Sequence, residues 1–296
     1  MAAPNPRWSL RRARLLVGSK LALVGGLVVF VGLTWVVERM LALDGPVDLS
    51  PPLALVIAAV PASLWLGFFY LQDRYEPEPM HYVFGVFLLG ALVAAPMADF
   101  AMYQLAPPQP LVQHGLDPFA PDRVVHAIVV VGLAQELCKY VAVRYTIYTS
   151  SEFDEPMDGV VYMMSVGTGF AVWVNYRHLQ DLGGQVYLST GAAEAVISTL
   201  AHASFAGFLG YVLGRAKFTR RGPVSRGVLL FAGLVGAALI NGLFTVVEAW
   251  VRTRGLANHP WKGVGLAAAL AIAVFLVLMV FVRRLLAQSP FRRDER

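Results

Sequence analysis

Six polar side chains of this sequence lie in stretches that are otherwise apolar enough to cross a membrane. They are Gln135, Glu136, Lys139, Asn175, His202 and Asn241. An ionisable residue at the middle of a membrane span costs about 2.5–3.5 kcal/mol, so it usually faces the protein interior and has a partner there. Glu136 and Lys139 are three residues apart, share a helix face and can form an ion pair. The six residues are therefore candidates for a buried site.

The chemistry open to this set depends on whether Glu136 meets His202. A carboxylate and an imidazole together can bind a metal ion or activate a water molecule. The Glu136–Lys139 pair alone can instead be structural, because pairing lowers the cost of two charges in a membrane. A single histidine can likewise do no more than hydrogen-bond a neighbouring helix. Convergence of residues from different spans at one depth would favour a catalytic site.

The composition indicates that these residues belong to a polytopic membrane protein. Of 296 residues, 57% are hydrophobic and 15% are charged, and the mean hydropathy is +0.60. Soluble domains have about a quarter of their residues charged. The net charge of +5 does not indicate nucleic-acid binding, because the basic residues cluster between hydrophobic runs, as topology signals do. The single cysteine, Cys138, excludes an internal disulfide framework and a Cys-rich metal site.

The elements that must position the candidates are transmembrane helices. A span needs about 20 apolar residues, and this rule predicts an all-α bundle of about eight helices in one integral membrane domain, residues 1–296. The predicted spans are 18–42, 51–71, 80–105, 122–148, 157–181, 187–215, 226–251 and 262–285. Gly207, Gly210 and Gly214 have the spacing that allows close helix packing.

Basic residues near the span ends predict the orientation of the bundle, because cytoplasmic loops carry an excess of Lys and Arg. Three basic segments agree with an even number of spans and with both termini in the cytoplasm. They are the N-terminal tail 1–17, the loop with Arg215, Lys217, Arg220, Arg221 and Arg226, and the C-terminal tail 286–296. The loop with Arg252, Arg254 and Lys262 is then predicted on the outer side of the membrane, which makes it an exception to this pattern.

A second polar set lies near the predicted outer ends of the spans. Water reaches side chains there, so polar residues at these positions need no special explanation. Its members are Asp99, His126, His178, Asp181, Glu194 and Glu248. The acidic loop "TSSEFDEPMDG" places Asp158 at the start of the fifth span, where a carboxylate interacts favourably with the helix dipole. We expect this loop to set the entry of the fifth helix and so the orientation of Phe170 and Asn175.

Four segments taken in order resemble the PrsW family of intramembrane metalloproteases. They are "FFYLQDRYEPEPMHYVFGVFLLGA", "QELCKYVAVRY", "SEFDEPMDGVVYMMSVGTGFAVWVNY" and "HASFAGFLGYVLGRAKF". The resemblance covers residues 64–218, which we interpret as the PrsW-like core. The family is related to the CAAX-prenyl protease and bacteriocin-processing superfamily, and its founding member cleaves a membrane-bound anti-sigma factor.

The family pattern, as it falls on this sequence, is changed at three positions. The pattern has Glu-Glu-x-x-Lys, Phe-x-x-x-Glu-Asn, a histidine in the next span and a second histidine in the span after it. This sequence has Gln135-Glu136-x-x-Lys139, then Phe170-x-x-x-Val174-Asn175, then His202, and Asn241 near the second histidine position. The resemblance thus implies Glu136 and His202 as catalytic residues and metal ligands, with Lys139 beside them. Asn175, Asn241 and Gln135 become candidates for substrate binding or oxyanion stabilisation.

The resemblance implies a protease in the bacterial inner membrane that acts on a single-span membrane protein within the lipid bilayer. It also implies zinc, although catalytic zinc normally has three protein ligands and only Glu136 and His202 remain as strong ones. Two outcomes follow for the site: a metal-free Glu and His pair that hydrolyses peptides, or a degenerate member that binds membrane peptides without cleaving them. A transporter or channel is the third alternative, because polar residues deep in several spans also suit an ion path.

Overall fold

The computed structural model describes residues 6–43, 45–71, 78–106, 117–181, 185–220, 222–255 and 260–288. This part of the chain forms eight long helices. They are α1 (Pro6–Met40), α2 (Pro51–Tyr70), α3 (Met80–Leu105), α4 (Pro121–Thr149), α5 (Pro156–Asp181), α6 (Leu188–Phe218), α7 (Pro223–Gly255) and α8 (Pro260–Gln288). The prediction of a polytopic helical membrane protein is confirmed, since the first seven contain segments long and apolar enough to cross a membrane. Helix α8 occupies the eighth predicted span.

Proline sets the start of most of these helices. Among the described helices, six begin at a proline: Pro6, Pro51, Pro121, Pro156, Pro223 and Pro260. Proline suits the first helical position because its fixed φ is already helical and its missing N–H would have no partner there. The first helix begins at Pro6, so much of the segment predicted as an N-terminal tail is helical. Residues 289–296 of the predicted C-terminal tail lie outside the described residues.

Two of the spans are not uniform α-helices, which the sequence did not indicate. Helix α3 consists of Met80–Leu89, a π-helical turn at Gly90–Ala94 and Ala95–Leu105. Helix α4 consists of Pro121–His126, a π-helical turn at Ala127–Gly132, Leu133–Arg144 and, after two turn residues, a 3-10 turn at Ile147–Thr149. Such turns occur frequently at functional sites, and the one in α4 immediately precedes the segment that carries Gln135 and Glu136.

One short pair of strands lies in the connections between the helices. Strand β1 (Val47–Asp48) pairs antiparallel with strand β2 (Gln185–Val186), with Val47 opposite Val186. The pair joins the connection between α1 and α2 to the connection between α5 and α6. Pairing satisfies backbone groups of two connections that emerge at the same end of the bundle. We call this end the distal end, and the end with Arg215, Lys217, Arg220 and Arg226 the basic end.

Helices α5 and α6 form the centre of the bundle. In the most apolar 18-residue stretch of each helix, 89% of the residues are buried in α5 and 78% in α6, against 6% in α1. Glycines allow the two backbones to touch: a Cβ added to Gly210 would lie 2.2 Å from the carbonyl oxygen of Gly159, and one added to Gly214 would lie 2.1 Å from that of Pro156. Gly207 similarly leaves room for Leu278 of α8. The small-residue spacing thus marks helix packing.

The basic end is held together by polar contacts of the acidic loop, most of them partly buried. Asp158 accepts hydrogen bonds from the backbone N–H groups of Asp154 and Glu155, each at 2.7 Å, and so caps the start of α5. Lys217 of α6 donates to two carbonyl oxygens, that of Tyr148 in the last turn of α4 at 2.7 Å and that of Phe153 in the α4–α5 connection at 2.6 Å. These contacts fix where α5 enters the bundle. Residues 72–77, between α2 and α3, lie outside the described residues.

Helices α4 and α7 approach each other closely where the π turn of α4 ends. A Cβ on Gly132 would lie 2.3 Å from the carbonyl oxygen of Ala238, and one on Gly242 would lie 2.5 Å from the Cα of Ile128. Both glycines are next to site residues, since Gly242 follows Asn241 and Gly132 lies one helical turn before Glu136. The missing side chains therefore bring Asn241 within reach of α4.

A Gly132→Ala substitution is expected to lower the free energy of unfolding by about 1–3 kcal/mol, because the added methyl group overpacks a backbone contact. The matched control is Gly227→Ala, a glycine of α7 whose added Cβ meets nothing within 4 Å. Thermal unfolding of both variants in the same detergent gives the comparison. Equal unfolding temperatures for the two would contradict the tight contact between α4 and α7.

Candidate active site

A buried ammonium group lies at the centre of the candidate site. Lys139 Nζ is 2.6 Å from Glu136 Oε1 and 3.3 Å from His202 Nδ1, and it lies 4.5 Å from the ring centroid of Phe170. The side chains of Glu136 and Lys139 have no solvent exposure. Glu136 on α4 and His202 on α6 contact the same nitrogen, so they lie within the span of two hydrogen bonds. The structure brings the predicted carboxylate, lysine and histidine into one cluster.

Asn241 joins α7 to this cluster through its amide group. Its Nδ2 donates to Glu136 Oε1 at 2.8 Å and to Gln135 Oε1 at 3.0 Å. Both amide hydrogens are thereby used, and Oδ1 remains as an acceptor. The second carboxylate oxygen, Glu136 Oε2, is buried and has no hydrogen-bond partner among the described residues. A buried polar atom without a partner is costly and is often retained for function.

Asn175 uses its amide nitrogen to join two helices. Its Nδ2 lies 3.2 Å from the carbonyl oxygen of Ala195 and 3.3 Å from Thr199 Oγ1, both on α6. These bonds join α5 to α6 and do not reach Glu136. Phe170, one helical turn earlier on α5, packs against both Lys139 and His202, whose ring centroid lies 5.4 Å from its own.

A cavity of about 220 Å³ extends from the site toward the distal end, between α4, α5, α6 and α7. At its deep end, which we call the floor, lie Gln135, His202 and Asn241, together with Val174 and Asn175. Toward the distal end, at what we call the rim, lie His178, Glu194 and Glu248. Glu136 and Lys139 do not line the cavity and lie behind the floor.

The hydrogen bonds inside the cluster determine what the floor presents to the cavity. An ammonium group only donates, so His202 Nδ1 accepts from Lys139 and the ring proton is assigned to Nε2. Gln135 accepts from Asn241 through Oε1, which leaves its NH₂ group to donate. The floor therefore combines two donors, His202 Nε2 and Gln135 Nε2, with one acceptor, Asn241 Oδ1. This combination is complementary to a peptide group, which has one carbonyl acceptor and one N–H donor.

Comparison with known proteins decides the family. A sequence model described as "PrsW family intramembrane metalloprotease" matches residues 78–285 of this chain. The chain belongs to the PrsW family.

Curated PrsW proteases from several bacteria are similar to the chain over most of their own length. Protease PrsW of Geobacillus kaustophilus is 32% identical over 192 residues, which cover 64% of this chain and 78% of the relative. Protease PrsW of Bacillus subtilis is 27% identical over 203 residues, which cover 67% of this chain and 86% of the relative. No solved structure matches the chain.

The residues at this site do not fit the metal ion that the PrsW family description implies. Within the described residues, no group of three or more His, Cys, Asp or Glu side chains is placed to hold a metal ion. Val174, which stands at a family carboxylate position, lines the cavity with an apolar side chain. Glu136 Oε1 and His202 Nδ1 are both engaged by the Lys139 ammonium group. We therefore derive no reaction step through a metal.

Three residues of the second polar set lie nearer the site than their sequence positions suggested. His178, Glu194 and Glu248 form the rim, and His178 Nε2 lies 3.4 Å from Glu194 Oε2. A signal was present, because His178 follows Asn175 by three residues and Glu248 follows Asn241 by seven, which places each pair near one helix face.

The other members of that set lie elsewhere. Asp99 accepts from Trp173 Nε1 at 2.7 Å and lies 3.9 Å from Arg177 Nη1, away from the cavity. His126 is half-buried near the start of α4. The side chain of Asp181 lies outside the described residues.

Proposed function

We propose that this protein is an intramembrane peptidase that hydrolyses a peptide bond of a membrane-bound substrate at the floor of the cavity. The observation that supports it is the combination of two hydrogen-bond donors at the floor, His202 Nε2 and Gln135 Nε2, with a buried carboxylate directly behind them. Donors placed where negative charge develops, close to a proton acceptor, are what acyl transfer to water requires. Membership of the PrsW family supports the same reaction class.

The proposed reaction needs no group beyond these side chains and water. His202 and Gln135 donate to the oxygen of the scissile carbonyl, while a water oxygen attacks the carbonyl carbon and Glu136 Oε2 takes the proton released. The tetrahedral intermediate carries its negative charge on the oxygen held by the two donors. It collapses with cleavage of the C–N bond, and the proton on Glu136 passes to the leaving nitrogen. Lys139 and Phe170 hold the carboxylate and the imidazole in place.

Water must reach Glu136 for this reaction, and Asn241 stands between the carboxylate and the cavity. The Asn241 amide group bonds to both Gln135 and Glu136, so rotation about its side-chain bonds exposes the carboxylate and frees Gln135. A bound peptide group supplies replacement partners for the amide. Catalytic hydrogen bonds commonly reach their working geometry only when substrate is bound.

We propose that the protein lies in the bacterial inner membrane with the basic end and both termini in the cytoplasm. This orientation places Lys217 and Arg226 on the side where basic loop residues are enriched. The cavity then opens toward the outer side of the membrane. A single-span protein such as a membrane-bound anti-sigma factor fits this access, because its chain passes the rim as it leaves the bilayer.

Purified protein reconstituted with single-span substrates is expected to cleave at least one of them. The Glu136→Gln and His202→Ala variants are expected to lose about 10²-fold or more in rate, since each removes a group that acts on the transition state. His126→Ala, which removes a histidine of α4 outside the cavity, serves as the matched control and keeps the wild-type rate. Cleavage that survives both site substitutions would sink the proposed assignment.

A second function is favoured by one specific observation, the complete burial of Glu136. Its side chain has no exposure, Lys139 neutralises it, and Val174 replaces a carboxylate at the floor. A family member that binds membrane peptides at the floor without cleaving them would have this arrangement. Substrate peptides that crosslink to cavity residues and stay intact over many hours with wild-type protein would support this function over hydrolysis.

A further inference from the structure

The rim of the cavity carries negative charge contributed by separate helices. Glu194 comes from the first two turns of α6 and Glu248 from the distal part of α7, while His178 comes from α5. Among the described residues that line the cavity there is no lysine or arginine. Two carboxylates and one imidazole leave the lining negative whether or not His178 is protonated.

The floor gives an independent indication that the cavity takes a ligand. His202 is 8% exposed, and its Nε2 has no hydrogen-bond partner among the described residues. Gln135 is also 8% exposed, and its amide nitrogen is left without a partner when Oε1 accepts from Asn241. Polar atoms that line a cavity this far inside the bundle need partners from whatever occupies it. A peptide group of a bound chain supplies them.

The separation between rim and floor sets a length for the chain that occupies the cavity. Glu194 precedes His202 by eight residues and Glu248 follows Asn241 by seven, so the rim lies about 10–12 Å from the floor at about 1.5 Å per helical residue. An extended peptide covers this distance in three to four residues at about 3.3 Å each. The wall between is largely apolar, with Leu179, Ala195 and Phe244.

We propose that this cavity selects substrates with a lysine or arginine three to four residues from the scissile peptide bond, bound by Glu194 and Glu248 at the rim. This inference rests on the proposed hydrolysis at the floor and adds the class of substrate that reaches it. Opposite charges at a partly desolvated rim attract the cation, and the apolar wall accepts small or apolar side chains between it and the floor. A basic residue at the outer end of a span is uncommon, so the requirement discriminates among membrane proteins.

The test uses one single-span substrate in which a lysine is moved along the positions on either side of the cleaved bond, with glutamine as the reference. Wild-type protein is expected to cleave the version with lysine three or four residues away about tenfold faster than the glutamine version, as for one charge-assisted contact. In the double variant Glu194→Gln/Glu248→Gln, the two versions are expected to be cleaved at equal rates.

The Asp99→Asn variant is the matched control, because it removes a carboxylate of α3 that does not line the cavity, and it should keep the lysine preference. Equal cleavage of all versions by wild-type protein, or a preference that survives the double variant, overturns the inference and leaves the hydrolysis standing.

If nothing is cleaved, binding decides between the two proposals. Labelled lysine and glutamine peptides are titrated onto the full-length wild-type protein and onto the double variant in the same micelles. Tighter binding of the lysine peptide to wild type alone supports the rim, while the missing cleavage counts against the proposed function. Equal binding to both proteins overturns the inference.

Discussion

The Lys139→Met variant is expected to lose about 3–5 kcal/mol of unfolding free energy, which is the usual cost of leaving a buried partner charge uncompensated. Glu136 has no exposed side-chain surface, and without Lys139 its only remaining hydrogen bond is the one from Asn241. Glu136→Gln is expected to destabilise as well, because it leaves the ammonium group with His202 and the Phe170 ring. Thermal or denaturant unfolding in one detergent measures both losses.

Combining the two substitutions should restore most of the stability. Replacing a buried ion pair by neutral groups of similar volume is often close to neutral, so Glu136→Gln/Lys139→Met is expected to unfold near the wild-type temperature. A coupling of this size between residues in contact is what a double-mutant cycle detects. Arg283→Met, at an exposed position of α8, is the control and should change stability by no more than about 0.5 kcal/mol.

The same cycle separates the structural role of the pair from its role in chemistry. A folded double variant that cleaves no substrate shows that the Glu136–Lys139 pair is needed for hydrolysis and not only for packing. A double variant that still cleaves at the wild-type rate removes Glu136 as the base. Wild-type stability of the single Lys139→Met variant would contradict the buried ion pair itself.

Much of the fold and part of the site follow from the sequence for a physical reason, the cost of polar groups in lipid. Because of that cost, the spans can be recognised as apolar runs. The same cost identifies four residues that must face the protein interior: Glu136, Lys139, His202 and Asn241. Helical spacing predicted that Glu136 and Lys139 share a face, and they form an ion pair at 2.6 Å. Such statements depend on composition and short-range spacing alone.

Features that depend on the phase and spacing of packed helices could not be predicted in this way. The π turn at Ala127–Gly132 changes the phase of α4 just before Gln135, and no residue in it signals the change. The close contact between Gly132 and the backbone of α7 at Ala238 is likewise not indicated by helical spacing. Asn175 was one of three candidates for substrate binding or oxyanion stabilisation, and the sequence did not show that its amide nitrogen bonds to Ala195 and Thr199 of α6.

The rim was missed for a related reason. Glu194 and Glu248 lie near span ends, where a polar residue costs little, so the energetic signal that identified the deep residues is absent. Helical spacing places Glu248 near the same face as Asn241, and the three-dimensional arrangement shows that Glu194 and Glu248 share a cavity with His202. The importance of charges at span ends depends on whether a cavity lies below them. Here the cavity is formed by the packing of α4, α5, α6 and α7.

The unmodified protein is expected to carry well below one zinc ion per chain after purification, because its site lacks the three ligands that catalytic zinc normally has. Three substitutions restore the family pattern: Gln135→Glu, Val174→Glu and Asn241→His. All three positions line the same cavity as His202. The triple variant is therefore expected to bind about one zinc ion per chain, as measured by elemental analysis.

Thermal unfolding with and without zinc provides a second readout, since a ligand that binds only the folded state raises its unfolding temperature. Zinc should raise the unfolding temperature of the triple variant and leave that of the unmodified protein unchanged. Adding His202→Ala to the triple variant should abolish both the bound zinc and the shift in unfolding temperature, because the substitution removes one of the zinc ligands. The metal-free site would be contradicted if the unmodified protein carried about one zinc ion per chain that resisted dialysis and was lost in Glu136→Gln. Lys139 would then lie beside a bound metal ion.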